Sequence, residues 1–164
     1  MRGRPLALRC LAEGMGTLLL LTTVVGSGIM GERLAGGNVA IALLANSLAT
    51  GLGLGVFILC LAPVSGAHFN PVVTLALAVR NRSGRPAAVP VIAAQVAGGF
   101  AGVLVAHAMF GLTLLQASAQ ARHGAGLLLS EIVATFGLLF VVLRCSEQPS
   151  VPTTAVAVGS YVTA

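Results

Sequence analysis

The chain has 164 residues, of which 57% are hydrophobic and 8% are charged, and its mean hydropathy is +0.99. Soluble domains carry about a quarter charged residues, so this composition excludes a soluble globular protein and indicates a membrane protein. The net charge of +5 comes from arginines in short clusters between apolar runs, and aromatic residues make up only 4%. This pattern does not indicate a nucleic-acid-binding surface.

The first apolar run follows Arg2, Arg4 and Arg9 and predicts a membrane span from about Ala12 to Met30. An arginine-rich start before an apolar run is also the pattern of a signal peptide. Glu13 at the start of the run, and the lack of a small-x-small cleavage site after it, favour the span.

The next stretch without formal charge, residues 34–79, is too long for one span of about 20 residues. It divides into a full span from about Asn38 to Ala62, a break at Pro63, and a shorter apolar segment. In that segment Asn70 is a strong helix N-cap and Pro71 suits the first helical position, which predicts a helix from Pro71 to Val79.

This helix would be roughly 15 Å long, half of a bilayer core of about 30 Å. Irregular backbone at membrane depth is tolerated only inside protein or along a watery cavity, so residues 65–68 are expected to face a pore. The positive end of the helix dipole would point into that pore, and the Asn70 amide would donate to a passing neutral solute. The alternative is an ordinary cap on a short buried helix.

Three further apolar segments follow a polar, helix-breaking cluster over residues 80–86. They predict a third span from about Ala87 to Leu114, a fourth from about Gly126 to Leu143, and a fifth that starts near Val151. Because the sequence stops inside the fifth apolar segment, at Ala164, a truncated chain is expected.

The arginines are distributed unequally between the two sides of these spans, which predicts an orientation. Arg33 and Arg122 would lie outside. The other seven would lie in the cytoplasm, together with the N-terminus: Arg2, Arg4, Arg9, Arg80, Arg82, Arg85 and Arg144. The half-helix would then enter the membrane from the cytoplasmic side.

Two glutamates lie inside predicted spans, and each has a threonine four residues on: Glu13 with Thr17, and Glu131 with Thr135. Intramembrane carboxylates are costly unless they are paired or hydrogen-bonded. The two copies would be inverted in the membrane, a recurring plan in channels and transporters. Their offset of 118 residues predicts a second Asn-Pro loop near position 188, beyond this chain.

Residues 65–76, SGAHFNPVVTLA, resemble the first signature loop of the aquaporin (major intrinsic protein) family, which typically reads SGAHxNPAVTxA. Val72 departs from the pattern, because alanine is usual there. The resemblance implies a bacterial-type channel with an all-α membrane fold, a right-handed aquaporin-like bundle with a re-entrant half-helix. It also implies that the signature loop lines the pore, through Gly66, Ala67, His68, Asn70, Pro71 and Val72.

The family's plan of two inverted three-span halves divides this chain into three parts. Residues 1–85 would form the first repeat through the half-helix, residues 86–125 the third span and external loop, and residues 126–164 the start of the second repeat. In the family, glutamates such as Glu13 and Glu131 brace the re-entrant loops by accepting backbone N–H groups, and Gln95 is assigned to the same bracing group. The second loop, its arginine and the sixth span would lie beyond Ala164, so this chain alone is not expected to conduct.

The resemblance implies passive, bidirectional flux of water and small neutral solutes across the inner (plasma) membrane, through a homotetramer and without a cofactor or metal. The family's outer constriction takes a residue twenty positions before the loop asparagine, which is Thr50 here. Threonine is smaller than the phenylalanine or tryptophan usual there, which predicts a wider opening that admits glycerol, urea or undissociated metalloid acids. Alternatively, Thr50 packs against a neighbouring helix.

Other chemistry finds little support in the sequence. His68 in a Gly-rich loop is better explained as fixing that loop than as a proton shuttle or metal ligand, and His107, His123 and the three cysteines have no metal or catalytic spacing. An enzyme is therefore not expected. A proton-coupled secondary transporter that titrates Glu13 and Glu131 stays open as the alternative to a channel. Solute flux without a proton gradient would separate the two.

Overall fold

The computed structural model describes residues 4–81, 85–116, 123–147 and 150–164, and these residues are predominantly helical. Six helices lie in the described part of the chain: α1 (Leu6–Leu34), α2 (Val39–Ser65), α3 (Pro71–Arg80), α4 (Arg85–Met109), α5 (Ala125–Glu147) and α6 (Val151–Thr163). Among them, α1, α2, α4 and α5 are long and apolar enough to cross a membrane. The all-α fold and the short helix after Asn70 are confirmed.

Some of the predictions concern residues outside the described ranges. They are Arg2, Arg82 and Arg122 of the orientation argument, and Ser83 and Gly84 of the helix-breaking cluster.

The predicted break at Pro63 is wrong, because α2 continues through this proline to Ser65. Proline removes one backbone hydrogen bond, but the helix ends only where the backbone turns left-handed. That residue is Gly66, with φ of 104°, and its N–H donates to the carbonyl of Ala62 at 3.0 Å. Glycine takes up this conformation without a steric cost, so Gly66 and not Pro63 sets the end of the span.

The third span is shorter than predicted and ends at Met109 instead of Leu114. Gly111 has φ of 66°, which turns the chain back towards α4. The backbone N–H of Leu112 then donates to the carbonyl of His107 at 2.9 Å, and His107 Nδ1 lies 2.9 Å from the carbonyl oxygen of Leu114. The apolar residues after Met109 therefore form a loop that folds onto the end of the helix.

Glycines allow α1 to pack closely against α4, and α2 against α6. A Cβ atom on Gly98 of α4 would overlap the carbonyl of Gly14 in α1. Between α2 and α6, a Cβ on Gly51 would overlap the carbonyl of Gly159. Small residues at such crossings are the usual means of association for membrane helices. The glycine- and alanine-rich helix α4 thus makes close contact with α1.

The half-helix α3 and the loop before it are held between these packed helices. The ring of Phe69 is 4% exposed, and a Cβ on Gly16 of α1 would overlap it. Phe69 and Ala67 belong to a buried apolar cluster with residues of α2 and α6, namely Leu54, Ile58, Ala155 and Val158. The loop is therefore a packed part of the interior.

Contacts at the two ends of the bundle show which helix ends lie together. At one end, Arg80 of α3 pairs with Glu147 of α5 at 3.4 Å, and Arg144 also pairs with Glu147. At the other end, Arg33 of α1 donates to the carbonyl of Phe110 at 3.1 Å, and its guanidinium lies 5.3 Å from the centre of the Phe110 ring. The C-terminal ends of α3 and α5 therefore lie on one side of the bundle.

Candidate pore site

The loop from Gly66 to Phe69 has an unusual backbone. Ala67 and Phe69 have φ of 52° and 48°, in the left-handed region that residues with a Cβ rarely adopt. Each such residue costs on the order of 1–3 kcal/mol, so the conformation persists only where surrounding contacts impose it. Inside the loop, the Ser65 hydroxyl accepts the N–H of Ala67 at 3.1 Å.

Glu13 supplies the strongest of those contacts. Its side chain is buried, with 1% of the residue exposed. Oε1 accepts the backbone N–H of His68 at 3.0 Å, and Oε2 accepts that of Phe69 at 2.9 Å. A buried carboxylate is tolerated only when it is hydrogen-bonded in this way, and hydrogen bonds to a charged acceptor are stronger than neutral ones.

Gln95 of α4 joins the carboxylate to the half-helix. It is also 1% exposed. Its Nε2 donates to Glu13 Oε2 at 2.8 Å and to the hydroxyl of Thr74 at 2.9 Å. Thr74 in turn lies 3.1 Å from His68 Nδ1 and from the carbonyl oxygen of Asn70. Helices α1, α3 and α4 therefore meet in one buried polar network behind the loop.

Asn70 caps α3 as the sequence predicts. Its Oδ1 accepts the N–H groups of Val72 and Val73 at 2.8 and 3.4 Å, and Pro71 occupies the first helical position. Because the cap uses only the oxygen, the two hydrogens on Nδ2 have no partner among the described residues. They are available to an acceptor outside the protein.

A cavity of about 410 Å³ lies against this loop. Its polar wall includes Thr50, Gly66, Ala67, His68 and Asn70, and a larger apolar wall comes from α1, α2, α5 and α6. The Thr50 hydroxyl itself is buried, is not open to the cavity, and has no hydrogen-bond partner among the described residues. The cavity thus offers a few polar groups on an apolar surface, an arrangement that suits small uncharged molecules.

The structure brings most of the predicted site residues together. Glu13, Gln95, His68 and Asn70 form one cluster, and Thr50 lines the same cavity as Asn70. Pro71 and Val72 are exposed, Val72 at 45%, and neither is among the cavity-lining residues. Glu131 is exposed in this chain, on a helix that has no buried side chain among its described residues. Its bracing role stays a prediction.

The sequence predicts a pore-facing backbone at Ser65 and no role for Phe69 or Thr74; in the structure Ser65 is buried and does not line the cavity, and all three residues help to fix the loop. Thr74 was visible as part of the signature, and its spacing of four residues from Asn70 could have indicated a hydroxyl bonded to the Asn70 carbonyl. No periodic pattern marks Phe69, whose importance comes from the space left by Gly16 on another helix. In the described ranges, no group of three or more His, Cys, Asp or Glu residues is arranged to hold a metal ion.

Comparison with known proteins decides the family. The model of the major intrinsic protein family matches residues 4–164. The chain belongs to the major intrinsic protein family. The resemblance of the SGAHFNPVVTLA segment is therefore confirmed, and this family member is a multi-pass membrane protein with an aquaporin-like helical bundle.

Three relatives, two from bacteria and one from a plant, show how far the similarity extends. It is 46% identical to aquaglyceroporin AqpS of Rhizobium meliloti over 158 residues, which cover 95% of this chain and 66% of AqpS. It is 32% identical to the probable aquaporin PIP2-8 of Oryza sativa subsp. japonica over 84% of this chain and 51% of that protein. Aquaporin Z of Rhodopseudomonas palustris is also 32% identical, over 81% of this chain and 60% of that protein. The chain therefore spans between about half and two thirds of these relatives.

Proposed function

We propose that this chain forms part of a channel, and not an enzyme, through which water and small neutral solutes pass in both directions without energy input. The observation that carries the proposal is the amide of Asn70, whose Nδ2 is free at the cavity while its Oδ1 caps the half-helix. A solute that leaves bulk water needs replacement hydrogen bonds, and a donor fixed by its own cap supplies one without rearrangement.

The surroundings of Asn70 favour uncharged solutes. The N-terminus of α3 carries the positive end of the helix dipole, which repels cations near it. Among the described residues that line the cavity, none is Asp, Glu, Lys or Arg. A cation would therefore be repelled by the positive end of the dipole, and no carboxylate among the described lining residues would compensate for this repulsion. A neutral molecule is not repelled in this way.

The size of the solute is proposed from Thr50. Its side chain is small and Thr50 lines the cavity, which supports a position at the outer constriction. Position 50 has no bulky aromatic side chain to narrow the opening. Molecules larger than water, such as glycerol, urea or undissociated metalloid acids, are therefore expected to pass. AqpS is named an aquaglyceroporin, which agrees with this proposal.

A proton-coupled transporter that uses Glu13 is less well supported. A carrier carboxylate must exchange protons with water, but Glu13 is 1% exposed and holds three N–H donors at its two oxygens. These contacts support the role of a brace for the re-entrant loop, with Gln95 as its partner. We propose that Glu131 braces a second loop in the same way. The inverted repeat formed by the two glutamates also supports the proposed division of the chain into three parts, with boundaries at residues 85 and 125.

We further propose an inner (plasma) membrane location with a cytoplasmic N-terminus, and a homotetrameric assembly. The pairing of Arg80 with Glu147 supports the orientation, because it brings together the C-terminal ends of α3 and α5. The arginine distribution assigns both of these ends to the cytoplasm. The tetramer is proposed from family membership alone.

The test is flux through the whole protein in liposomes, followed by light scattering after an osmotic step of an impermeant solute or of glycerol. The proposal expects water and glycerol permeability above that of empty liposomes, unchanged when the proton gradient is dissipated. Asn70→Asp keeps the size and the cap but replaces the donor with a carboxylate, so it should lower neutral flux and admit cations. Flux that stops when the proton gradient collapses would refute the channel.

A further inference from the structure

The ring of His68 has two nitrogens in different surroundings. Nδ1 lies 3.1 Å from Oγ1 of Thr74. Nε2 has no partner among the described residues, and His68 lines the cavity beside Asn70. A neutral imidazole is a donor at one nitrogen and an acceptor at the other. The position of its proton therefore decides whether the ring offers a donor or an acceptor to the cavity.

The donors around Thr74 can be assigned from Glu13 outwards. Both oxygens of Glu13 accept backbone N–H groups, so the carboxylate acts as an acceptor. The atom of Gln95 that lies 2.8 Å from Oε2 is then its amide nitrogen, because two oxygens would repel each other there. The same nitrogen lies 2.9 Å from Thr74 Oγ1 and donates its second hydrogen to it.

The hydroxyl of Thr74 has one hydrogen and two acceptor sites. It can donate to the carbonyl of Asn70 while its oxygen accepts from Gln95 and from an Nδ1–H of His68, which makes three hydrogen bonds. If the hydroxyl donated to Nδ1 instead, the bond to the Asn70 carbonyl would be lost and two would be left. The first arrangement is favoured by one partly buried hydrogen bond.

We infer that Thr74, oriented by Gln95, keeps the proton of His68 on Nδ1 and presents the bare Nε2 to the cavity as an acceptor. Thr74 and Gln95 are positioning residues, because neither lines the cavity. Beside the Asn70 donor, Nε2 completes a donor–acceptor pair. Such a pair matches the O–H group of water or an alcohol, which both donates and accepts. The consequence for flux rests on the proposed function, whereas the position of the proton does not.

The test is the protonation site of the His68 ring, measured by nitrogen-15 solid-state NMR on the whole protein with labelled histidine, in liposomes at neutral pH. The His68 signals are assigned by their loss in a His68→Gln variant. In the wild type we expect a proton on Nδ1 and a bare Nε2. Thr74→Val keeps the shape but lacks the hydroxyl, so the proton should move to Nε2. Thr74→Ser keeps the hydroxyl and should keep the proton on Nδ1.

A wild-type ring with its proton on Nε2, or a Thr74→Val ring that still has it on Nδ1, would overturn the inference. The wild-type and Thr74→Ser spectra are decisive even if Thr74→Val does not fold.

Water permeability is the second measurement. Thr74→Val should lower it about fivefold, the change that corresponds to one hydrogen bond of about 1 kcal/mol, and Thr74→Ser should preserve it. Unchanged permeability in a Thr74→Val protein whose proton has moved would overturn the role of Nε2 as an acceptor for solute. The expected spectra without any water permeability in the wild type would reject the proposed channel and leave the proton assignment standing.

Discussion

Replacing Glu13 with glutamine tests whether its carboxylate holds the re-entrant loop. Glutamine has the same shape, but one of its two terminal groups is a donor. The least damaging orientation keeps the oxygen where it accepts from Phe69 and Gln95, so the new NH₂ faces the backbone N–H of His68. One buried N–H then lacks an acceptor, which costs about 1–3 kcal/mol.

The two remaining hydrogen bonds then have a neutral acceptor instead of a charged one. Each of them therefore stabilises the protein by about 1 kcal/mol less. Burying a neutral amide costs less than burying a carboxylate, which offsets part of this loss. We therefore expect Glu13→Gln to destabilise the protein by about 2–3 kcal/mol. For a protein of this size, that corresponds to a fall in the midpoint of thermal unfolding of roughly 5–10 °C.

The assay is thermal unfolding of the whole protein in detergent, paired with flux in liposomes. Glu32→Gln is the matched control, because Glu32 is an exposed residue near the other end of the same helix, and it should change stability by less than about 0.5 kcal/mol. Flux should fall in Glu13→Gln without any new dependence on a proton gradient. If Glu13→Gln and Glu32→Gln unfold at the same temperature and conduct equally, the carboxylate does not hold the loop.

Two further substitutions test the cavity and the helix packing. Thr50→Phe should reduce glycerol flux more than water flux in the liposome assay, because it adds bulk to the cavity wall without touching the half-helix cap; an equal loss of both would mean that Thr50 does not form a constriction. Gly98→Leu should destabilise the protein by more than about 2 kcal/mol in thermal unfolding, because the new side chain overlaps the backbone of Gly14. Gly126→Ala is its control, since a Cβ there meets no atom within 4 Å, and similar losses in both would refute the close-packing argument.

The fold could be predicted from the sequence wherever a local signal sets it. Asn70 and Pro71 specify the start of a helix by themselves, because a cap and a first-turn proline act within a few residues. Predictions of helix ends failed where the deciding residue was a glycine with positive φ. Gly66 overrode Pro63 in α2, and Gly111 ended α4 before the apolar sequence did.

The sequence predicts several residues of the candidate site, but not Phe69 or Thr74, and not how the residues contact one another. Glu13 was indicated by the cost of a carboxylate inside a span, whereas Gln95 entered the bracing group only through the family resemblance. The sequence contains nothing that tells which hydrogen of Gln95 meets Thr74, or that Phe69 fills the space above Gly16. Those contacts depend on the relative rotation of α1, α3 and α4, which only the packed structure defines.

The carboxylate of Glu13 joins residues that are far apart in the order of synthesis. It binds the loop at positions 68 and 69 and the side chain of Gln95, which leaves the ribosome only after the half-helix is complete. Until α4 arrives, Gln95 cannot complete the set of donors to the carboxylate or orient the Thr74 hydroxyl, and unpaired polar groups are costly in the hydrocarbon. During biogenesis we therefore expect a stage at which α1 and α2 span the membrane while α3 still lies at the membrane surface. The insertion of α4 would then allow α3 to enter the membrane.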